Sequence, residues 1–390
     1  MSETRAVIIS QFKRVAEEQN KKLTRLDDDL VLFESGLDSL CVAVVIARLE
    51  DELGKDPFNA SEGVNFPVTL GDFIRLYERG NCIPGRTSEV SKIKMVDERI
   101  PQIQIRQIQS SDIEDVVELL SKGFPKRRPA YWRRALQRLS ERKAPPLYPR
   151  FGYLLEHGQK KVGLVLLIFS ERNIEGESFI FCNLSSWYVE PLYRGYAGLL
   201  NSKATRHSNV TYFNISADSH TWPMIEVQSF KSYCDGEMIA IPVLSPKAID
   251  AKVEEFEIAR DYGQFLGNEE RELLITHIHC GCVALIVRQG DKFSPFLFMH
   301  RRSFRGLLPT LQLIYCRELQ EFANYAGAIG RALLRRGGVF VRLDAPSPLP
   351  GVKGIHFSGQ VSGHGRRYYR GPRPPRIGDF TFTETIFFGF

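Results

Sequence analysis

The hydrophobic periodicity of this chain changes near residue 80, and this change limits most strongly how the chain can fold. Before it, apolar residues such as Val7, Ile8, Phe12 and Val15 recur at helical spacing with charged residues between them. From residue 103 onward they alternate with polar residues or run continuously, as in residues 162–169, which is typical of strands. Residues 81–101 contain Gly, Pro and mixed charges with little periodicity. We therefore expect a helical domain over 1–80, a linker over 81–101 and a strand-rich remainder.

Length and composition indicate an ordinary folded protein of several domains. The 390 residues correspond to two or three domains, and the chain is 43% apolar and 25% charged. No apolar run approaches the roughly 18 residues of a membrane span, and the first residues lack the basic and apolar stretches of a signal peptide. Seven scattered cysteines favour reduced thiols. We expect a cytoplasmic protein without a membrane span.

The charge is distributed unevenly along the sequence. Residues 1–80 hold 10 Lys/Arg against 15 Asp/Glu, a net charge of −5, and the whole chain is at +6, which leaves +11 for the rest. An acidic piece tethered to a basic one is attracted to it, weakly at physiological salt. A nucleic-acid partner is not expected, because no base-stacking motif or zinc module accompanies the basic part.

Within the first eighty residues, one serine lies where a helix begins. Gly36 permits a turn, Asp38 is a good N-cap, and the helical pattern starts at Leu40. Ser39 falls in the first turn, where orphan N–H groups and the helix dipole favour a phosphate on its oxygen. Residues 69–72, Thr-Leu-Gly-Asp, predict a capping box for a last helix. The pattern predicts an all-α bundle of four helices, one of them short.

Residues 33–40, Phe-Glu-Ser-Gly-Leu-Asp-Ser-Leu, precede an acidic helix and resemble the motif of acyl or peptidyl carrier proteins. The resemblance covers residues 5–79, with Gly36, Asp38 and Leu40 as motif residues around Ser39. It implies that Ser39 carries 4′-phosphopantetheine, whose thiol holds an acyl group as a thioester. It also implies two partners, a phosphopantetheinyl transferase and an acyl-loading enzyme.

Residues 189–200 leave a predicted strand through small residues and enter a helix. Over residues 102–245 the order of strands and helices resembles the GNAT superfamily of N-acyltransferases, which implies an α+β (α/β) mixed-sheet acyltransferase domain. The resemblance implies that the acyl donor, either acyl-CoA or an acyl-carrier thioester, is bound by Val189, Arg194, Gly195, Tyr196, Ala197 and Gly198. Ala197 and Leu199 stand at the two glycine positions of the family pattern, and Ile225 stands where a tyrosine acid is common. These departures favour a donor that arrives on the pantetheine of a carrier.

Acyl transfer from a thioester needs a deprotonated acceptor and a group that polarises the carbonyl. We expect the amides of residues 185–187 to polarise the carbonyl. His220, beside Asp218 at a strand end, is a candidate base, and a loop histidine bonded to Asp218 is the alternative. Tyr233 is a weaker catalytic candidate. The acceptor is expected to be a small molecule that carries an amine or a hydroxyl.

Residues 246–390 look like a second, degenerate GNAT-like domain, which makes a tandem pair. Small residues over 324–330 predict close packing of a helix. On a strand, His277 and His279 would face away from Cys280 and Cys282, so no metal site is expected. The basic, Pro-rich residues 366–376 predict a solvated loop, or alternatively a docking surface for the carrier or an anionic acceptor.

Three functions remain open on the sequence. In the first, a carrier fused to an acyltransferase moves an acyl group onto a small acceptor. In the second, non-catalytic GNAT-like modules dock and shield a carrier-bound acyl group for a separate synthase. In the third, a nucleic-acid-binding protein shows salt-sensitive binding and no modification by a phosphopantetheinyl transferase.

Overall fold

The computed structural model describes residues 2–37, 39–54, 57, 67, 69–78, 103–174, 176–246, 248–303, 308–358 and 366–389. Contacts between residues group the chain into two compact units. Unit 1 comprises Met1–Leu136, Pro146–Leu167 and Ser186–His207, and unit 2 comprises Gln137–Pro145, Ile168–Ser185 and Ser208–Phe390. The domain boundaries at 80, 101 and 245 stay predictions.

The beginning of unit 1 is helical, as its periodicity predicts. Its helices are α1 (Glu3–Glu18), α2 (Ser39–Leu53) and α3 (Leu70–Glu78), with a 3-10 turn at Leu32–Glu34. Helix α1 packs against α2 and α3, and Phe12 meets Phe73 edge-on with ring centroids 5.8 Å apart. The described residues here hold three α-helices, so the predicted four-helix bundle is not shown and stays a prediction.

The capping box predicted for α3 is confirmed. The hydroxyl of Thr69 accepts a hydrogen bond from the Asp72 amide at 3.1 Å, and the Asp72 carboxylate accepts one from the Thr69 amide at 3.2 Å. These two bonds satisfy donors that have no partner within the helix. The helix therefore begins where the sequence pattern places it.

The rest of unit 1 combines strands and helices. Its complete elements are β1 (Ile103–Gln107), α4 (Ile113–Gly123), β2 (Gly152–His157) and α6 (Ala197–Ala204). Strand β1 pairs antiparallel with β2, and β2 pairs antiparallel with β3 (Lys160–Ile174). Strand β3, strand β4 (Glu177–Val189) and helix α5 (Pro129–Glu141) each pass from one unit to the other.

Unit 2 is built on a large mixed sheet, in agreement with the predicted α/β character. Its further strands are β5 (Val210–Asn214), β6 (Lys231–Ala240), β7 (Lys252–Glu255), β8 (Val283–Gln289), β9 (Lys292–Ser303), β10 (Leu308–Tyr315), β11 (Phe340–Asp344), β12 (Gly354–Ser358) and β13 (Arg366–Arg370). From β4 the order is β4-β5-β13-β6-β11-β10-β9-β8-β7, and β12 also pairs with β6. The β4/β5 and β10/β11 pairs are parallel.

The two faces of this sheet carry separate cores. Helix α9 (Leu319–Leu334) covers one face through Phe322 and Ile329. Helix α8 (Asn268–His279) and the C-terminal segment cover the other through Leu274 and Ile386. Helices α7 (Trp222–Val227) and α10 (Glu384–Phe388) complete the unit. Successive strand residues point to opposite faces, which is why neighbours such as Leu285 and Ile286 belong to different cores.

One order of elements occurs twice along the chain. The antiparallel pair β2/β3 is followed by β4, α6 and β5, and β5 is parallel to β4. The antiparallel pair β8/β9 is likewise followed by β10, α9 and β11, and β11 is parallel to β10. This repeated order agrees with the strand and helix order expected for residues 246–390.

Close packing explains the small residues of α9. A Cβ atom at Gly327 would lie 2.2 Å from the carbonyl oxygen of Pro246, and one at Gly330 would lie 2.2 Å from the Val243 nitrogen. Real side chains do not approach a backbone so closely, so only glycine fits at these two positions. The predicted role of these residues in packing is confirmed.

Two expectations for the C-terminal part are wrong. His277 and His279 lie on helix α8 and not on a strand. The alternating letters misled because helix α8 ends at His279 and strand β8 begins only at Val283. Of the predicted loop over 366–376, Arg366–Arg370 instead form strand β13 between β5 and β6, whereas the docking surface stays a prediction. Among the described helices, none has the length and apolar character that crossing a membrane requires.

Candidate functional site

Strands β4 and β5 pair in parallel over a short stretch only, which lies in unit 2. The described pairs end at Asn183 with Phe213, whereas β4 continues to Val189 and β5 ends at Asn214. On its other edge β5 pairs with β13. The two parallel strands therefore stop sharing hydrogen bonds at Asn183, and we call this point the β4/β5 fork.

A carboxyl group from the C-terminus lies at this fork. Glu384 begins helix α10, and its amide donates a hydrogen bond to Oδ1 of Asn183 at 2.8 Å. Its carboxyl group accepts hydrogen bonds from the hydroxyls of Ser185 on β4 and of Ser216 just after β5, the latter at 2.5 Å. Ser216 is exposed. Glu384 thus bridges the two parallel strands where solvent reaches them.

The surroundings of Glu384 suit a proton acceptor. Burial raises the pKa of its carboxyl group, although hydrogen bonds from Ser185 and Ser216 and the charge of Arg367 oppose the shift. A carboxyl group with a raised pKa can exchange protons nearer to neutral pH than an ordinary glutamate does. Perturbed acids at a strand end are candidates for functional sites.

A buried ion pair lies close to Glu384. Arg367 of β13 binds Asp344 of β11 through two hydrogen bonds of 2.9 Å each, and its Nη1 also donates to the carbonyl of Ile215. Burial and the charge of Asp344 raise the pKa of Tyr233, so this phenol keeps its proton. The charges of Asp344 and Arg367 therefore act on Tyr233, and the charge of Arg367 also acts on Glu384.

The segment that carries Glu384 is held by what we call the C-terminal clamp, formed by Arg172, His277, Asp379, Thr381 and Phe382. Arg172 binds the Asp379 carboxylate at 2.9 Å and the Thr381 carbonyl at 2.7 Å. The Phe382 amide donates to Nε2 of His277 at 3.1 Å, and Phe382 has φ of 56°, a conformation that few residues other than glycine adopt. These contacts keep a strained backbone in place next to Glu384.

His277 should make stability depend on pH. Its Nδ1–H donates to the Leu273 carbonyl at 2.7 Å and its Nε2 accepts from Phe382, so the neutral ring fits this place. Burial lowers its pKa from 6.5 to about 4. The unfolded chain therefore binds the proton first, and about 3 kcal/mol of stability, complete above pH 6.5, is lost as the pH falls toward 4.

The measurement is urea unfolding between pH 4 and pH 7 for the wild type and for His277→Gln, which does not titrate. We expect a shallower loss of stability on acidification in His277→Gln. The control is His279→Gln, at an exposed position of the same helix, which should follow the wild type. Equal slopes for all three proteins would contradict the assignment.

Of the two predicted base residues, the structure describes the side chain of one, Asp218. Asp218 is exposed, and its carbonyl accepts hydrogen bonds from the amide and hydroxyl of Thr221. The side chain of His220 lies outside the described part of the chain. The roles of Asp218, His220 and Tyr233 therefore stay predictions.

The predicted donor segment lies in unit 1 and is wound into a 3-10 turn, Pro191–Tyr196, followed by α6. The Tyr193 amide donates to the Glu190 carbonyl, and the Ala197 amide donates to the Arg194 carbonyl. Such turns use their amides internally, whereas a diphosphate cradle presents them to the anion. Among the other predicted donor residues, Arg194 is exposed, Gly195 and Tyr196 are half-buried, and Gly198 and Val189 are buried.

Helix α2 packs against both α6 and this 3-10 turn within unit 1. Leu199, the large residue at a glycine position of the family pattern, is buried in α6. Ser39 is the first residue of α2. The helix predicted to carry the pantetheine arm therefore contacts the segment predicted to bind the acyl donor.

The carrier motif is described in part. Gly36 has φ of +90°, and a Cβ atom there would lie 2.1 Å from the Lys22 carbonyl oxygen, so the predicted turn does require glycine. Asp38 and the side chains of Ser39 and Leu40 lie outside the described residues. Attachment of phosphopantetheine at Ser39 stays a prediction.

No family model matches this sequence, and no curated protein matches it. Among solved structures, the chain is similar to a GCN5-related N-acetyltransferase from Anabaena variabilis, with a TM-score of 0.45 and 10% identity over 69% of this chain and 72% of the other. A GCN5-related N-acetyltransferase from Kribbella flavida gives a TM-score of 0.44 and 12% identity over 70% and 71%. N-myristoyltransferase from Saccharomyces cerevisiae with bound myristoyl-CoA gives 0.38 and 13% over 72% and 87%. Scores and identities this low assign the chain to no family.

Sequence reasoning missed Glu384. No motif surrounds it, and its partner Ser185 is 199 positions away in the chain. One signal was present: Glu384 is the single charged residue in the last eleven, among Phe, Thr, Ile and Gly. An isolated acid in an apolar stretch is a candidate for a buried functional group.

Proposed function

We propose that this chain is an acyltransferase that moves a thioester-bound acyl group to an amine or hydroxyl of a small molecule. The observation that carries the proposal is the carboxyl group of Glu384, held by Ser185 and Ser216 at the β4/β5 fork with its pKa raised by burial. The GNAT-like order of strands and helices in the sequence supports the same reaction class.

Glu384 acts as the general base in this proposal. The acceptor nitrogen or oxygen attacks the thioester carbonyl carbon, a new bond forms to that carbon, and the carbon–sulfur bond breaks. The proton of the acceptor passes to the Glu384 carboxylate, and the sulfur leaves as a thiolate that takes a proton from solvent. Ser185 and Ser216 hold the carboxylate in place for this transfer.

The donor in the proposal is an acyl group on 4′-phosphopantetheine at Ser39, with acyl-CoA as the other source. Two observations support the carrier. Helix α2, which begins at Ser39, packs against α6 and the 3-10 turn, and the amides of Tyr193 and Ala197 bond within that segment. Partners of the chain would then be a phosphopantetheinyl transferase, an acyl-loading enzyme and the small acceptor. A tethered donor also acts at high effective concentration.

The contact of α2 with α6 also favours a second candidate function. A module that docks and shields the acyl arm for a separate synthase needs this contact and no general base. If the chain has this function, its thioester should resist hydrolysis once the acyl group is loaded, and no acylated product should form when an acceptor is added. The two functions therefore differ in one measurable step.

The test starts from the full chain incubated with CoA and a phosphopantetheinyl transferase and followed by intact-mass spectrometry. We expect one pantetheine addition in the wild type, none in Ser39→Ala, and one in Ser10→Ala, an exposed serine of α1 that serves as the control. The acyl-loaded chain is then mixed with small amines and alcohols. Acylated product forming faster than the thioester hydrolyses supports the enzyme, and slow hydrolysis alone supports the shielding module. An unchanged mass of the wild type after incubation with the transferase would exclude a carrier role for Ser39.

A further inference from the structure

The carboxyl group of Glu384 accepts a hydrogen bond from a serine hydroxyl on each of its two oxygens. The hydroxyl of Ser185 donates to Oε2, and the hydroxyl of Ser216 donates to Oε1 at 2.5 Å. Ser185 is 7% exposed, whereas Ser216 is exposed. The two serines therefore differ in what can reach them. Ser185 orients the carboxylate from within the fold, and a reactant in solution has access to Ser216.

The backbone that carries Ser216 is anchored on both sides of its hydroxyl. The Ser216 amide donates to Oδ1 of Asn214 at 2.9 Å, and Nη1 of Arg367 donates to the carbonyl of Ile215. Arg367 is itself held by two hydrogen bonds of 2.9 Å to the buried carboxylate of Asp344. Ser216 is thus an accessible hydroxyl that is fixed against a carboxylate, and that carboxylate is oriented by a further group. This is the arrangement of an activated nucleophile.

A second contact between a hydroxyl and a carboxylate in unit 2 lacks these properties. The hydroxyl of Thr381 donates to Oδ1 of Asp379 at 2.5 Å, but Thr381 is 0% exposed. Burial acts to raise the pKa of Asp379, but the charges of Arg172 and Arg376 outweigh it and the pKa is lowered. Burial raises the pKa of Glu384. Glu384 is therefore the better proton acceptor, and its hydroxyl partner is the accessible one.

We propose that Ser216 is an acylation site of this chain, at which its hydroxyl takes an acyl group from a thioester and forms an oxygen ester. The proposal rests on the proposed function for the thioester donor and for Glu384 as the base. It adds to the small-molecule acceptors of that function an acceptor within the chain itself. The reason is that the Ser216 hydroxyl is already bonded to the base.

Acylation of Ser216 needs the thioester and the base, and no further reactant. Oγ of Ser216 attacks the carbonyl carbon of the thioester, a carbon–oxygen bond forms, and the carbon–sulfur bond breaks. The proton of the hydroxyl passes to the Glu384 carboxylate, and the sulfur leaves as a thiolate. Glu384 then releases its proton to solvent and the thiolate takes one from solvent. The chain gains one acyl group and the donor becomes a free thiol.

The experiment supplies the full chain with two donors and locates the acyl group by mass spectrometry. A phosphopantetheinyl transferase loads acetyl- or octanoyl-pantetheine from the corresponding acyl-CoA, and a second sample receives the acyl-CoA without the transferase. Neutral hydroxylamine then cleaves thioesters and leaves oxygen esters, and peptide mass spectrometry identifies the residue that is still acylated. We expect one ester, on Ser216, in the wild type. Ser216→Ala should carry none, and Ser216→Thr, which keeps a hydroxyl, should keep part of it.

Two further variants separate the base from general reactivity of exposed serines. Glu384→Gln keeps the Ser216 hydroxyl and removes the base, so its ester should form about 10²-fold more slowly. This variant also covers the case in which Ser216→Ala does not fold. Ser219→Ala changes an exposed serine in the 3-10 turn that follows, and it should be acylated on Ser216 as the wild type is.

Small amines and alcohols added to the acyl-loaded chain separate this inference from the proposed function. An ester on Ser216 that is lost in Ser216→Ala and slowed in Glu384→Gln supports the inference, whether or not a small acceptor is acylated. Acylated small-molecule product without an ester on Ser216 would overturn the inference and leave the proposed function standing. An ester on another residue, or an ester that forms at the wild-type rate in Glu384→Gln, would overturn it as well.

Discussion

Replacing Glu384 with glutamine should slow acyl transfer by about 10²- to 10⁴-fold, the usual contribution of a positioned general base. The amide is nearly isosteric. Its oxygen can accept a hydrogen bond from one of the hydroxyls of Ser185 and Ser216, and its NH2 group can donate one to the other, so the C-terminal segment should keep its place. It cannot take the proton of the acceptor. The measurement is kcat with the acyl-loaded chain and an accepted amine or alcohol.

The pH profile separates a base from a structural residue. Because burial raises the pKa of Glu384, the wild-type rate should fall on acidification at a pH above the range of an ordinary glutamate. This fall of the rate on acidification should be absent in Glu384→Gln. Glu269→Gln, at an exposed position in the first turn of α8, is the matched control. It should keep both the wild-type rate and the fall of the rate on acidification. A Glu384→Gln enzyme with wild-type kcat and an unchanged profile would exclude Glu384 as the base.

Replacing Arg367 with methionine should lower the free energy of unfolding by about 3–5 kcal/mol, because it leaves the Asp344 carboxylate buried without its cation. The Asp344 side chain is 3% exposed and accepts two hydrogen bonds from Arg367. Arg367 also bonds to the Ile215 carbonyl, so strands β5, β11 and β13 lose a shared contact. Urea unfolding followed by circular dichroism measures the loss.

Two further variants check this cause. Arg335→Met changes an exposed arginine at the end of α9 and should shift stability by less than about 0.5 kcal/mol. Asp344→Leu added to Arg367→Met removes the orphaned charge and should recover part of the loss. The loss of stability in Asp344→Leu alone can be compared with the further loss that it causes in Arg367→Met. If the two losses are equal, the two substitutions are independent, and the broken ion pair does not explain the instability of Arg367→Met.

Local features were predictable because short-range physics decides them. The turn at Gly36, the helix start at Ser39 and the Thr69–Asp72 capping box depend on residues a few positions apart. The packing glycines of α9 were recognised for the same reason, since a run of small residues within one helix indicates a close neighbour. The neighbour itself, the backbone at Val243 and Pro246, could not be identified from that run.

Errors arose where a local pattern had two interpretations. Residues 277–282 alternate like a strand, yet His277 lies in a helix. There its ring is buried and accepts a hydrogen bond from the Phe382 amide. Residues 366–376 look like a solvated basic loop, yet 366–370 form a strand in which Arg367 is only 12% exposed and binds the buried Asp344, which supplies a counter-charge. In both cases the deciding partner is distant in the chain.

The sequence by itself determined the helical beginning, the order of strands and helices, and the candidate carrier serine, all of which follow from periodicity and neighbouring residues. Only the tertiary structure decided that Glu384, Ser185 and Ser216 share one fork and that Arg367 pairs with Asp344. The physical reason is that burial and charge are properties of a place in the fold. Residues some 200 positions apart acquire a common environment only when strands from different parts of the chain pair.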